Sequence, residues 1–189
     1  MPRMNPSLTD EKSESSNLST LRFNNDRLHS PEWMQKICDQ VIRDMNNYGI
    51  CVINNFLGLA QGEMILSEVK SLYSIGIFHD GQLVSANRLS APTQIIRGDK
   101  IFWVNGTEPQ CANIGLLIQT LDNILMQCNN MDRNGCFANC RLSKRTRAMI
   151  ACYPGSGSHY VKHIDNPNGD GRRVTSIYYL NKDWNVQVI

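Results

Sequence analysis

The chain has 189 residues, of which 41% are hydrophobic, and a formal net charge of +2. This length is enough for one domain with a hydrophobic core. The small net charge argues against direct binding to nucleic acid or to an acidic membrane surface. No apolar run approaches the ~18 residues that a membrane span needs, and no signal peptide opens the chain, so we expect no membrane partner.

Seven cysteines are spread over the chain, and several of them fall in apolar segments with helical or strand-like spacing. An odd number of cysteines does not suit a disulfide framework. We therefore expect reduced thiols and a protein of the cytoplasm, the nucleus or both.

The first third of the chain is predicted to contain a tail and one helix. Residues 1–29 are polar and rich in Ser and Asn, which is typical of disorder. Ser30-Pro31-Glu32 then supplies an N-cap, a proline at the first helical position and an acid in the first turn. Apolar residues follow at helical spacing, and Gly49 is placed to end the helix.

The middle of the chain alternates between predicted strands and helices. GICVINNFL (49–57) and IFWV (101–104) have the composition of strands. Residues 59–73 and 113–128 have apolar residues three and four apart, which predicts helices. Residues 85–99, rich in Ser, Asn and Pro, are predicted to form a long loop.

The last third contains a loop and three β-like runs. The loop is MDRNGCFANC (131–140), and the runs cover residues 146–154, 159–165 and 173–181. NPNGDG (166–171) is a dense turn signal between the last two runs. Helices first and strands last indicate an α+β domain in which helices support a sheet or barrel.

His163 and Asp165 form the most informative short motif. Residues two apart on a strand point to the same face. An imidazole and a carboxylate on one face are two of the three ligands of the 2-His-1-carboxylate triad that binds non-haem iron(II). A His-x-Asp pair also occurs by chance as two solvated polar residues on a surface strand, and the motif alone leaves both interpretations open.

Period-two alternation in the neighbouring runs predicts two faces that wall a small pocket, apolar with a few hydroxyl groups. An ordinary core position for the two tyrosines stays possible on pattern alone. The residues on the two faces are Met149, Ala151, Tyr153, Thr175, Ile177 and Tyr179.

Residues 151–184, ACYPGSGSHYVKHIDNPNGDGRRVTSIYYLNKDW, closely resemble the hypoxia-inducible factor prolyl hydroxylases. The resemblance extends upstream through YGICVINNFLG (48–58), DGQL (80–83), IRGDKIFWV (96–104) and SKRTRAMIACYPG (143–155). It covers most of the chain from about residue 31 onward. A match of this length is far more specific than the two-residue motif.

The resemblance implies a double-stranded β-helix, a jelly-roll-like barrel with supporting N-terminal helices, which would be truncated in this chain. His163 and Asp165 match the first two iron ligands of the family. Asp99 and Trp103 match supporting positions beside the loop at 85–99, which matches a segment that closes over the substrate. Four residues match the 2-oxoglutarate pocket: Met149, Tyr153, Ile177 and Tyr179.

The resemblance also implies a function. The expected activity is oxygen-sensing 4-hydroxylation of a proline in a peptide of a hypoxia-inducible factor alpha subunit. The cofactors would be Fe(II), 2-oxoglutarate as co-substrate, dioxygen and ascorbate. The expected organisation is a tail (1–30), helical support with early strands (31–140) and the N-terminal part of the dioxygenase barrel (141–189).

The chain departs from the family pattern at its end. The third ligand of the family is a histidine several strands after the aspartate, and a 2-oxoglutarate-binding arginine follows it; neither occurs before Ile189. We therefore expect residues 1–189 alone to have negligible turnover. The chain would be a fragment of the enzyme or, alternatively, a truncated non-catalytic isoform that acts as a substrate-binding or regulatory protein.

Three weaker candidates remain. His159 could replace the missing ligand only if GSGSH bends sharply, because four strand residues span roughly 13 Å. Cys136 and Cys140 have near-zinc spacing without a second pair of ligands, so free thiols are the alternative. RLSKRTR (141–147) could bind a partner or act in localisation, with a solvated strand entrance as the alternative.

Overall fold

The computed structural model describes residues 30–81, 98–166 and 169–182. These residues form three α-helices, a 3-10 helix and a three-stranded sheet. The predicted α+β class is confirmed. The predicted tail and most of the predicted loop at 85–99 lie outside the described residues.

Helix α1 spans Pro31–Tyr48, and both of its ends follow the sequence signals. The Ser30 hydroxyl accepts a hydrogen bond from the Trp33 amide at 3.2 Å, as an N-cap does. Gly49 ends the helix in the left-handed conformation (φ 70°), and its amide donates to the Met45 carbonyl at 3.1 Å. The predicted cap residues are therefore confirmed.

Helices α2 (Gly58–Ser74) and α3 (Ala112–Asn130) confirm the other two predicted helices. The Glu68 carboxylate of α2 accepts hydrogen bonds from the amides of Asn113 and Ile114, each at 2.8–3.0 Å. A carboxylate at a helix N-terminus satisfies amides that have no partner within the helix and complements its dipole. This contact ties the first turn of α3 to α2.

The sheet is antiparallel in the order β1-β2-β3, with β1 at His79–Asp80, β2 at Lys100–Val104 and β3 at Ala148–Cys152. The register places Phe102 opposite Ile150 and Val104 opposite Ala148. Strand β2 is buried at Ile101 and Val104. The predicted strand at 101–104 is confirmed, and the run at 146–154 contains β3.

The core consists of two adjoining clusters. One lies between α2, α3 and the sheet and is centred on Ile65, Leu72 and Val104. The other joins α1, α3 and the 3-10 helix Gly135–Asn139 through Cys38 and Phe137. Both clusters receive side chains from the last described segment, since Tyr178 packs against the first and Val174 against the second.

Three predicted strands differ from the structure. Residues 49–57 and 173–181 contain no strand in their described parts, and 159–165 contains only a single bridge residue at Tyr160. A strand requires a hydrogen-bonded neighbour along its length. These segments have strand-like composition but do not form such a ladder with the described residues.

None of the helices in the described ranges is both long and apolar enough to cross a membrane. All seven cysteines carry free thiols.

Candidate functional site

The chain turns sharply after β3, in the segment that leads to His163. Gly155, Ser156 and Gly157 are all left-handed, with φ of 90°, 54° and 76°. The returning segment meets the start of β2, because the Gly98 amide donates to the His159 carbonyl at 3.0 Å. A Cβ at Gly98 would lie 3.2 Å from the Cβ of Ser158, so glycine suits this close approach.

The side chains of His163 and Asp165 meet. Nε2 of His163 lies 3.1 Å from Oδ1 of Asp165, and the two side chains are 37% and 46% exposed. Nδ1 of His163 lies 2.8 Å from the Val161 carbonyl. A carbonyl oxygen only accepts, so Nδ1 carries the hydrogen and Nε2 is the ring atom directed at the carboxylate. Imidazole nitrogen and carboxylate oxygen side by side are a donor pair that suits a divalent metal ion.

The second carboxylate oxygen of Asp165 has a different partner. The Thr175 hydroxyl donates to Oδ2 at 2.7 Å. Thr175 was identified from the sequence only as a member of the pocket faces. Its contact with Asp165 crosses the turn at 166–171, and nothing in the spacing of the sequence indicates that pairing.

Tyr160 is a further residue that the motif did not indicate. Its ring stacks on the imidazole of His163, with centroids 3.7 Å apart and an interplanar angle of 21°. The stack covers one face of the imidazole. An aromatic residue three positions before a histidine is too common a pattern to predict such a contact.

The four residues assigned to the 2-oxoglutarate pocket are all exposed to solvent, from 40% at Met149 to 78% at Tyr179. Their neighbours Ile150, Tyr178 and Leu180 pack against the core instead. Burial raises the pKa of the inward-facing Tyr178 hydroxyl. The alternation of exposed and less exposed residues is present in β3 and at Tyr178–Leu180, but it breaks at Ser176, which is exposed, and residues 173–181 form no strand.

The other sequence candidates do not join His163 and Asp165. In residues 30–81, 98–166 and 169–182, no three His, Cys, Asp or Glu side chains are grouped so that they could hold a metal ion. The bend before His159 is present, but the His159 Nδ1 contacts the Gly157 carbonyl at 2.8 Å. His79 lies in β1, and His29 is outside the described residues.

The basic stretch at 141–147 is partly structural. Nε of Arg145 donates to the Asp122 carboxylate at 2.9 Å, and its NH2 group donates to the Asn105 carbonyl at 2.6 Å. Arg145 therefore holds the chain entering β3 against α3 and the end of β2. The other basic residues of the stretch are exposed.

No protein-family model matches the chain. Several curated relatives show clear similarity, among them the following two from mammals. Egl nine homolog 1 of Rattus norvegicus is 50% identical over 150 residues, which are 79% of this chain and 42% of that protein. Prolyl hydroxylase EGLN3 of Homo sapiens is 39% identical over 156 residues, which are 82% of this chain and 63% of that protein. The chain thus spans less than two thirds of the length of these relatives.

A solved structure shares the fold. It is a prolyl hydroxylase from Trichoplax adhaerens in complex with a hypoxia inducible factor oxygen degradation domain peptide fragment. The TM-score is 0.72 and the sequence identity is 42%, over 84% of this chain and 70% of that chain. Identity at this level over most of both chains makes this protein a member of the hypoxia-inducible factor prolyl hydroxylase family.

Proposed function

We propose that this chain carries part of the active site of an oxygen-sensing peptidyl-prolyl 4-hydroxylase that acts on a hypoxia-inducible factor alpha subunit. The observation that carries the proposal is the contact between His163 Nε2 and Asp165 Oδ1, in a chain of this family. The Trichoplax relative binds a peptide of the same factor. A proline-containing peptide is therefore the proposed substrate.

Iron(II) fits the donor atoms that are present. Nε2 of His163 and Oδ1 of Asp165 supply one nitrogen and one oxygen, which are two of the three protein ligands of a facial triad. When bound, iron(II) together with 2-oxoglutarate supplies the activation of dioxygen that the protein's own side chains cannot perform. We assign the third protein ligand to a residue that is not among those described.

We propose that the four exposed pocket residues form one face beside these donors, which would suit 2-oxoglutarate. The hydroxyls of Tyr153 and Tyr179 can donate to its carboxylate or keto oxygens, while Met149 and Ile177 supply apolar walls that exclude water. We propose that this face becomes the interior of a double-stranded β-helix. Residues 141–189 would then be the N-terminal part of the barrel, and residues 31–140 its support.

Further parts of the proposal follow from the family. Ascorbate would keep the iron in its reduced state. The free thiols of the chain favour a reducing compartment, the cytoplasm or the nucleus.

A second candidate function is binding of the substrate peptide without catalysis. It is favoured by one observation: the described residues contain no group of three metal-ligating side chains. A protein that binds the peptide without turning it over would compete with an active hydroxylase for substrate.

The two candidates are separated by a hydroxylation assay. Residues 1–189 are tested alone and joined to the segment of Rattus norvegicus Egl nine homolog 1 that follows the matching region. The substrate is a proline-containing peptide of a hypoxia-inducible factor alpha subunit, with Fe(II), 2-oxoglutarate, ascorbate and oxygen. We expect the fusion to add one oxygen atom to the peptide, as measured by mass spectrometry, and residues 1–189 alone to show negligible turnover.

His163→Ala in the fusion is expected to abolish hydroxylation, while His159→Ala leaves it intact. An inactive fusion that still binds the peptide would favour the non-catalytic candidate. Full activity of His163→Ala would contradict the assignment of His163 as a ligand.

A further inference from the structure

The two oxygens of the Asp165 carboxylate are held in different ways. Oδ1 lies 3.1 Å from Nε2 of His163, whereas Oδ2 accepts the hydroxyl hydrogen of Thr175 at 2.7 Å. A carboxylate without such a partner can rotate and offer either oxygen, or both, to a cation. Here one oxygen is engaged by a donor, and the other remains beside the imidazole.

The turn that follows Asp165 determines where Thr175 lies. The Asn166 side chain spans this turn, because its Nδ2 donates to the Arg172 carbonyl at 3.0 Å and its Oδ1 accepts from the Asp170 amide at 2.7 Å. An ion pair at 2.8 Å between Asp170 and Arg172 adds to the same turn. The chain that leaves the turn therefore passes next to Asp165.

The neighbours of Thr175 set the direction of its hydroxyl. Val174 packs against the core, so Thr175 faces outward, toward Asp165. Threonine has a stiff χ1 because it is β-branched, and its methyl and hydroxyl groups cannot exchange places at low cost. The hydroxyl is thus positioned before any ligand arrives.

We propose that Thr175 is a positioning residue of the metal site, which holds the Asp165 carboxylate so that Oδ1 stays beside Nε2 of His163. This inference rests on the proposed function. Without the hydrogen bond from Thr175, the Asp165 carboxylate would be free to rotate, and Oδ1 would no longer be held beside the imidazole. Partners of metal-ligating side chains typically change metal affinity 10–100-fold when they are removed.

The test measures binding of Mn(II) alone to residues 1–189, by paramagnetic broadening of the His163 ring protons in NMR spectra. This readout detects weak binding and does not depend on turnover. Thr175→Val removes the hydroxyl and keeps the shape of the side chain. Thr175→Ser keeps the hydroxyl. The matched control is Ser176→Ala, since Ser176 is the adjacent exposed hydroxyl and makes no hydrogen bond to a described residue.

We expect Thr175→Val to weaken Mn(II) binding about tenfold, while Thr175→Ser and Ser176→Ala stay within about twofold of the unmodified chain. Unchanged affinity in Thr175→Val would overturn the inference and leave the proposed function standing. Absence of His163 broadening in the unmodified chain would overturn the proposed metal donors, and this inference with them. Circular dichroism spectra of each variant show whether it is folded. If Thr175→Val is unfolded, a loss of affinity of about tenfold in Thr175→Ser, which keeps the hydroxyl, would overturn the inference.

Discussion

The ring of Tyr160 lies face to face with the imidazole of His163, at 3.7 Å between centroids. The imidazole is also held through Nδ1 by the Val161 carbonyl at 2.8 Å. The stack and the hydrogen bond together restrict both the tilt and the rotation of the ring. Nε2 is left as the atom that meets Asp165.

Removal of the Tyr160 ring is expected to weaken metal binding at His163. Aromatic pairs contribute about 0.5–1.5 kcal/mol beyond the area they bury, which corresponds to a roughly two- to tenfold change in affinity. Tyr160→Ala should reduce Mn(II) affinity by this factor, and Tyr160→Phe, which keeps the ring, should not. Equal affinities of the two variants in the NMR titration would show that the stack does not position the imidazole.

Tyr179 and Tyr178 are adjacent and differ in exposure. Tyr179 can therefore be tested for 2-oxoglutarate binding with Tyr178 as its control. Tyr179 is 78% exposed on the proposed pocket face, and Tyr178 packs against the core. Loss of one hydrogen bond to a charged group costs about 1.5–3 kcal/mol. In the active fusion, Tyr179→Phe should therefore raise the KM for 2-oxoglutarate at least tenfold.

Tyr178→Phe is the control and should leave that KM unchanged. An equal rise in both variants would point to a general loss of stability, and no rise in Tyr179→Phe would remove this hydroxyl from the 2-oxoglutarate site.

Gly115 lies where α3 touches the turn after β2. A Cβ at this position would overlap the carbonyl oxygen of Gly106. Gly115→Ala is expected to lower the free energy of unfolding by about 1–3 kcal/mol, because the backbone of the turn must move away from the helix. Urea unfolding measures this change.

Gly62→Ala provides the comparison for Gly115→Ala. A Cβ at Gly62 in α2 would meet only the end of the Tyr178 side chain, at 3.1 Å, which can shift. Alanine also favours the helix by about 0.5–1 kcal/mol, so we expect a neutral or slightly stabilising effect. If Gly62→Ala lowers the free energy of unfolding as much as Gly115→Ala does, the space available for a Cβ does not explain the effect of either substitution.

Glu108 makes stability depend on pH. The Glu108 carboxylate accepts hydrogen bonds from the backbone amides of Asn105 and Gly106, each at 2.8 Å. These hydrogen bonds, that of Asn105 first, lower the pKa of Glu108. The pKa of Glu108 is lower in the folded chain than in the unfolded chain. Its contribution to the free energy of unfolding is therefore complete above the ordinary glutamate pKa. It is lost as the pH falls through the lowered value.

Glu108→Gln should therefore reduce the difference in unfolding free energy between about pH 7 and about pH 3 by on the order of 0.5 kcal/mol, since the group is partly exposed to solvent. Glu63→Gln removes a carboxylate from an exposed ion pair with Lys182 and controls for net charge. An identical pH dependence in Glu108→Gln and the unmodified chain would contradict the prediction.

The cysteines are expected to differ widely in reactivity. Cys38 and Cys128 are fully buried where α1 meets α3, and burial raises the pKa of both thiols. Burial and the hydrogen bond to Asp44 raise the pKa of Cys51 to about 11. Cys136 is exposed. Since the thiolate is the reactive form, iodoacetamide at neutral pH should modify Cys136 first.

Peptide mass spectrometry identifies the modified thiol, and the buried cysteines should react only after unfolding in guanidinium chloride. Rapid modification of Cys38 or Cys128 in the folded chain would mean that the contact between α1 and α3 opens readily.

The helices could be predicted from local sequence because their ends and faces are local properties. Ser30 and Gly49 are cap residues whose conformations need no distant partner, and both ends of α1 follow them. The spacing of apolar residues in 59–73 and 113–128 specified one buried face for each helix. The family could also be recognised from the sequence, through the long match in 151–184.

The sequence predicted that His163 and Asp165 lie together because they would be two apart on a strand, but the structure has no strand at these residues. Residues two apart on an extended strand are roughly 6.6 Å apart along the chain, yet Nε2 and Oδ1 are 3.1 Å apart. The segment bends at Lys162 and Asp165 and is no strand. The bends bring the two side chains together.

The sequence by itself determined the helix ends, the apolar faces, the pairing of His163 with Asp165 and the family. Only the tertiary structure decided that Thr175 holds one oxygen of Asp165 and that Tyr160 covers the imidazole. Helix caps and apolar periodicity depend on neighbours within a few residues. A contact across a turn, or a strand that needs a pairing partner, depends on where the rest of the chain runs, and local spacing does not specify that.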